Sequence, residues 1–283
     1  MLVFPFITRY SSTLFLISSN CREKIVSCCS RCCQHRSHHV KSTTQMSELS
    51  LESSSCSEKG YYSHDRDEWK TFSTAELGSG GCYRLGISAV VPRPVAVITS
   101  LNKEHGTVNC APFSYTGLMS HNPPLVSHGI CLEAGGKKKK DTLVNIEENK
   151  EWVFNVLTDS YLEEANACSE ALPPHISEVE KTKLTTLPSK DCKTPRLAQA
   201  LVSMECRLEY LNEIKNDAGE HTTTIVTGRI VRYHVHSTVL KASNGVGNRS
   251  PVVDLQKLGA VGRAGDITYW PVGEGKAVSM KRP

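Results

Sequence analysis

The sequence contains no stretch of about 20 consecutive apolar residues, so nothing in it has the length and composition of a membrane-spanning helix. Glycine-rich phosphate loops are also missing. No GxGxxG follows a strand-like run, and no Walker A sequence occurs, which argues against a parallel nucleotide-binding sheet. An excess of one charge is lacking too. The formal net charge of +4 comes partly from the amino-terminal tail and from one lysine run, Lys137 to Lys140. Four lysines without interleaved aromatics make a poor single-strand platform, so no nucleic-acid partner and no membrane partner is expected. Aromatics are sparse at 6%, and a hydrophobic content of 39% fits a globular protein.

Cysteine is not scarce, but its placement argues against a disulfide framework. Cys21, Cys28, Cys29, Cys32 and Cys33 crowd the amino terminus, and Cys56 lies in a Ser-rich linker. Cys82, Cys110, Cys131, Cys168, Cys192 and Cys206 are scattered at wide, irregular intervals, as free thiols in a reducing compartment would be. Cys28, Cys29, Cys32 and Cys33 with His35, His38 and His39 invite a zinc reading. Their spacing matches no standard zinc frame, and no metal ligand is assigned.

Residues 1–60 read as a targeting or disordered segment outside the folded domain. Up to Ser47, six basic residues stand against a single acidic one, Glu23, amid frequent Ser and Thr. Arg- and Ser-rich, acid-poor composition is that of an organelle transit peptide. The expectation is mitochondrial or plastid targeting if residues 1–45 are such a peptide, and a cytoplasmic protein otherwise. A disordered tail and a start at Met46 remain alternatives. Residues 61–82 read as linker and lead-in, 83–270 as the folded domain and 271–283 as a carboxy-terminal tail.

The domain is organised around residues 92–128. Two prolines precede an apolar, β-branched run at 95–98, a polar segment at 102–106 ends in glycine, and a second run follows at 107–111, which is a hairpin signal. The second run leads into Asn109, Cys110, Ala111, Pro112, Phe113 and Ser114, small or polar residues around one aromatic. Such a segment lets a flat ligand approach the backbone. A third strand is expected from Leu125 to Leu132, after Pro123 and Pro124. Asp141 or Thr142 then caps a helix with apolar residues at 143 and 146. Lys140, Thr142 and the helix amino terminus outline an anion site, with Asp141 assigned to capping and Lys137 and Lys138 to solvent. A solvated loop with a fortuitous cap is the alternative for this motif alone.

Further strands are expected at 152–157, 201–214 and 221–235, an acidic helix at 159–171 and a short helix at 195–200. Hairpins dominate, so the fold class is mainly β with flanking helices: an antiparallel barrel. Pro112 and Phe113 fit core packing as well as ligand contact, Asn109 fits a strand-end cap, and Cys110 is expected to point into the barrel. His121 and His128 invite an acid–base reading, but a lone histidine is more often structural.

Together the two segments suit a ligand with a flat ring and a phosphate tail, the shape of flavin mononucleotide (FMN). PRPVAVITS at 92–100, N-x-A-P-F-S at 109–114, S-x-N-P-P at 120–124 and K-D-T-x-x-N-I at 140–146 resemble the flavin reductase-like family of FMN-binding split-barrel, flavoredoxin-like proteins. Asn155, S-x-E-C at 203–206, the strand 226–235 and G-R-x-G-D-x-x-Y at 262–269 extend the resemblance over residues 83–270. It implies a Greek-key-like split β-barrel, homodimeric, with FMN near the subunit interface. Thr99, Asn109, Ala111, Pro112, Phe113 and Ser114 are implied along the ring or ribityl chain. Ser120, Lys140 and Thr142 are implied at the phosphate, with Arg93 and Asn145 as weaker candidates and Arg263 and Tyr269 at the site or the dimer partner. The implied activity is NAD(P)H-dependent flavin reduction, with electrons passing to a partner monooxygenase or another acceptor. A flavoredoxin-like electron carrier and a non-catalytic FMN-binding module are the alternatives. Hydride transfer to flavin needs no protein base, so no acid–base catalyst is assigned. The loop 133–139 is longer than the resemblance implies.

Overall fold

The computed structural model describes residues 69–133, 138–242 and 251–273, all within the compact unit Asp67–Pro283. The expectations for residues 1–68, including the targeting segment and the Cys28–His39 cluster, for Ala134 to Lys137, and for the tail beyond Gly273 lie outside the described residues.

Helix α1 (Thr74–Ala89) begins in what the sequence suggests is linker, 61–82, and runs into the expected domain. A capping box starts it: the Ser73 hydroxyl accepts the Glu76 amide, and the Glu76 carboxylate accepts the Ser73 amide at 2.7 Å. Gly78, at φ +61°, kinks it, a conformation open to glycine at little cost. The strands that follow are β1 (Arg93–Pro94), β2 (Ala96–Leu101), β3 (Val108–Phe113), β4 (Thr116–His121) and β5 (Pro124–Cys131). Next come α2 (Asp141–Asn149), β6 (Glu151–Val156), α3 (Leu162–Ala167), α4 (Glu178–Thr182), β7 (Thr186–Leu187) and β8 (Arg196–Leu197). The long hairpin β9 (Val202–Lys215) and β10 (His221–Val235) leads to α5 (Leu255–Leu258), β11 (Val261–Arg263) and β12 (Tyr269–Pro271). None of the described helices is long and apolar enough to cross a membrane.

Seven strands form one antiparallel sheet in the order β3-β2-β6-β9-β10-β5-β4. The sheet wraps around a single core. Ala96, Ile98, Phe113, Val126, Ile130, Trp152, Phe154, Met204, Cys206, Val226 and Ile230 meet there, closed by Leu143 and Ile146 of α2. Its edge strands β3 and β4 are not hydrogen-bonded to each other, so the barrel is split. Period-2 alternation sends the other face of β2 and β3 outward. Val95, Val97 and Cys110 pack there with Tyr161, Ala165, Cys168, Val179 and Leu184 under α3 and α4. Cys110 therefore lies on the helix-covered face rather than in the barrel interior, because its neighbours Ala111 and Phe113 take the inner face.

Two local expectations are corrected. The segment 116–121 is a strand, and Asn122 with cis-Pro123 forms the turn that folds β4 onto β5. Around 195–200 there is no helix: Leu197 pairs with Thr186 and donates its amide to Asn155 Oδ1 at 3.0 Å. The loop before it hangs on Glu205, whose fully buried carboxylate accepts the amides of Lys190, Asp191 and Cys192 and pairs with His234 Nε2 at 2.5 Å. Burial alone would raise its pKa, but these bonds outweigh burial and bring it down to about 2.

His128 is structural. It is fully buried, with Nδ1 bonded to the Thr116 hydroxyl at 2.7 Å and Nε2 accepting from Trp152 Nε1 at 3.3 Å. Its ring is held neutral, and burial lowers its pKa to about 3. The unfolded chain takes up this proton near pH 6.5 and the folded chain only near 3, so stability is lost as pH falls between those values. Glu205 adds to the loss below its ordinary pKa of 4.5. Urea midpoints should fall from pH 6.5 to 4.5 in the wild type, and His128→Asn should flatten that slope. An unchanged slope would refute the assignment.

Candidate functional site

Beside the edge strand β3 lies a cleft of about 250 Å³. Its walls are Asn109 and Ala111 to Tyr115 from β3 and its exit, Gly129 and Cys131 from β5, Lys140 to Thr142 from the start of α2, and Cys168 to Leu172 after α3; Glu133 and Glu178 complete them. Pro112, Ser114 and Ser169 also line a smaller neighbouring cavity of about 160 Å³ with Val95, Asn166, Arg263 and Tyr269. The two depressions have Pro112, Ser114 and Ser169 in common. Arg263 stacks over the Tyr269 ring at 4.5 Å, and the Tyr269 hydroxyl donates to Asn166 Oδ1 at 3.0 Å.

A buried polar junction sets this geometry. Asn109 Nδ2 donates to Ser100 Oγ at 3.1 Å and to Thr142 Oγ1 at 2.9 Å, and Asn145 Nδ2 donates to the same Ser100 Oγ at 3.1 Å. Ser100, Thr142 and Asn145 are all buried. Asn149 Nδ2 completes the tie on Leu101 O at 2.7 Å. The first turn of α2 is thereby fixed against the β2–β3 hairpin.

The N-cap of α2 is Lys140, not Asp141 or Thr142, and it makes no side-chain capping bond. Its carbonyl accepts the amides of Leu143 and Val144. The amides of Asp141 and Thr142 have no acceptor within the helix, and with the macrodipole they present positive partial charge to the cleft. Lys139 is engaged by Glu147 at 2.8 Å and Lys138 by Glu133 at 3.5 Å, whereas Lys140 lines the cleft. The lysine run thus resolves into two ion pairs and one cleft cation, with Lys137 outside the described residues. Of the carboxylates in the walls, Glu170 pairs with Lys181 at 2.7 Å and Glu178 Oε2 accepts the Cys110 amide at 2.9 Å. Burial raises the Glu178 pKa and so favours its neutral form, against the Cys110 amide bond, which favours the carboxylate.

The cleft brings together Asn109, Ala111, Pro112, Phe113, Ser114, Lys140 and Thr142. It does not include Thr99, which is fully buried on the outer face with its hydroxyl on Pro195 O at 2.6 Å. Ser120 sits in β4, where its Oγ accepts the Asn122 amide at 3.3 Å, and lines neither depression. Asn145 supports the junction from behind. Arg93 is buried with Nη1 donating to Ile87 O and Val90 O, so it ties down the end of α1. Sequence reasoning missed Glu133, Cys131, Glu178 and the segment 168–172. No local motif marks them: Cys131 and Glu133 come from the end of β5, and Glu178 and 168–172 reach the cleft through the packing of α3 and α4 on β3.

Comparison with known proteins gives a consistent likeness. The flavin reductase like domain matches residues 88–255. An uncharacterized protein of Halalkalibacterium halodurans is 34% identical over 201 residues, covering 71% of this chain and 90% of that protein. Nitrilotriacetate monooxygenase component B from Bacillus cereus superposes with TM-score 0.67 at 30% identity, covering 74% of this chain and 98% of that one. A Shewanella frigidimarina protein with a split barrel domain superposes with TM-score 0.61 at 19% identity, over 76% of this chain and 100% of that one, a likeness of fold.

Asn109→Ala removes the bond from β3 to Thr142 of α2 and the bond to Ser100 of β2. It should destabilise the domain by about 1–2 kcal/mol, read from urea unfolding. An unchanged midpoint would show that the junction does not hold the two elements together.

Proposed function

Because the chain belongs to the flavin reductase-like family of split-barrel proteins, we propose that it is an FMN-dependent oxidoreductase of the flavin reductase type, with NAD(P)H as electron donor. The observation that carries this reading is the meeting of an uncapped helix amino terminus, Lys140 and a small-residue strand edge in one cleft.

The residues present fit FMN. A phosphate monoester suits the free amides of Asp141 and Thr142 with the Lys140 ammonium, a donor set of the kind that binds phosphate at helix starts. Thr142 Oγ1 accepts from Asn109 and so keeps its own proton to donate. Ala111, Pro112 and Ser114 leave the strand edge low enough for a flat ring, and Phe113, packed into the barrel core, holds that edge rigid. When bound, the flavin supplies the hydride-accepting centre. The protein's part is to bind, orient and shield. Neutral, buried His128 lies outside the cleft lining and takes no proton-transfer role.

The exposed large apolar side chains Leu118, Met119, Tyr210, Leu211, Ile214 and Ile225 on the seven-stranded sheet support a homodimer that would cover them. The likeness to a monooxygenase component B supports a partner monooxygenase as the electron acceptor.

Titration with FMN and with riboflavin tests the reading. Lys140→Ala should weaken FMN binding about tenfold to a hundredfold, the worth of one charge-assisted bond, and leave riboflavin affinity unchanged. Anaerobic NADH or NADPH should then bleach the bound flavin. Failure to bind FMN would end the proposal, and binding without bleaching would indicate the electron-carrier alternative.

A further inference from the structure

The start of α4 is docked on the free edge of β3. In an antiparallel pair every second residue turns its N–H and C=O away from the partner strand, and on β3 these residues are Val108, Cys110 and Pro112. Ser177 Oγ donates to Val108 O at 2.6 Å, and Glu178 Oε2 accepts the Cys110 amide at 2.9 Å. Glu178 lines the cleft and is only 6% exposed. Among the described residues no lysine, arginine or histidine pairs with it; Lys181 of its own helix is taken by Glu170, and Lys139 by Glu147. Only its own amide and that of Cys110 bond the carboxyl. A carboxylate so nearly buried, without a countercharge, is costly unless further donors reach it.

We propose that Glu178 recognises the hydroxyl-bearing chain of the ligand, accepting hydrogen bonds from its hydroxyls and so selecting a flavin that carries a polyol over the bare ring. This rests on the flavin reading above. Position along the strand supports it. The Cys110 amide holds the carboxyl at the point on the edge between Asn109 and Ala111. Asn109 Nδ2 is bonded to Thr142 at the start of α2, where the phosphate donors lie, and Ala111 begins the small-residue edge. A phosphate at Lys140 and a ring along Ala111 to Ser114 leave the intervening length of the ligand beside Glu178. Charge supports it too. The negative charge of Asp141 is already felt at Glu178, so a phosphate is the wrong neighbour for this carboxyl, whereas hydroxyl groups bring the donors it lacks.

The same residue has a structural part, which is to hold α4 on β3. That part needs only the oxygen bonded to the Cys110 amide, and a glutamine can supply it. Recognition of the ligand uses the charge and the second oxygen. Because the first oxygen is fixed, the carboxyl meets the ligand in one orientation and little side-chain freedom is lost on binding.

The test compares riboflavin with lumiflavin, which has the same ring with a methyl group in place of the hydroxyl chain, by fluorescence titration of the full chain. Glu178→Ala should weaken riboflavin about tenfold to a hundredfold, the worth of a hydrogen bond to a charged acceptor, and leave lumiflavin unchanged. Glu178→Gln keeps an acceptor for the Cys110 amide and should weaken riboflavin roughly fivefold, since a neutral bond is about half as strong. Circular dichroism checks the fold of both, and the glutamine variant carries the test if the alanine variant does not fold. Equal losses for riboflavin and lumiflavin would overturn the proposal, as would an unchanged riboflavin affinity. A wild type that binds neither compound ends the flavin reading and this role with it. A wild type that binds both, with variants that match it, ends only the role of Glu178.

Discussion

The site depends on a few hydrogen bonds that sew a helix to a hairpin. Ser100 receives Asn109 from the paired strand and Asn145 from α2, while Asn109 also reaches Thr142 in the first turn of that helix. Buried amides and hydroxyls are costly when unpaired, so these groups hold one another in a single arrangement. Because the ties lie at the start of α2, they orient its uncapped amides toward the edge of β3. The cleft exists where that edge and that helix start are held together.

The split in the barrel serves the same end. A strand paired on both sides would have no accessible edge, whereas β3 is left unpaired on one side of the seven-stranded sheet. α3 and α4 cover its outer face, and the segment after α3 forms the far wall of the cleft. An unprotected edge invites aggregation, and the segment after α3 stands over this one while leaving room for a ligand. Fold stability and the site therefore share residues: Phe113 belongs to the barrel core and the cleft at once.

What the sequence made legible follows the range of each signal. The β2–β3 hairpin, the start of α2 and the β9–β10 pair carry local patterns: alternation, a glycine turn, a polar step into an apolar helix face. Helix α1 was obscured because Gly78, Gly80, Gly81 and Gly86 mask a Ser73–Glu76 capping box. Strand β4 was hidden by its own composition of Thr, Gly, Ser and His beside a proline turn. In the site, Asn109 and Lys140 announce themselves in short motifs. Thr99 and Ser120 sit in equally suggestive motifs, yet Thr99 faces the outer layer and Ser120 a turn, because strand parity and turn geometry decide direction where composition does not. Glu178 and Cys168 could not be placed at all, since only tertiary packing brings them to β3.

The most direct measurement is a crystal structure of the chain with FMN. The phosphate should lie within hydrogen-bond distance of Lys140 Nζ and of the Asp141 and Thr142 amides, with the ring along Ala111 to Ser114. A phosphate bound elsewhere, or a ring lying against β4 and Ser120, would contradict the account.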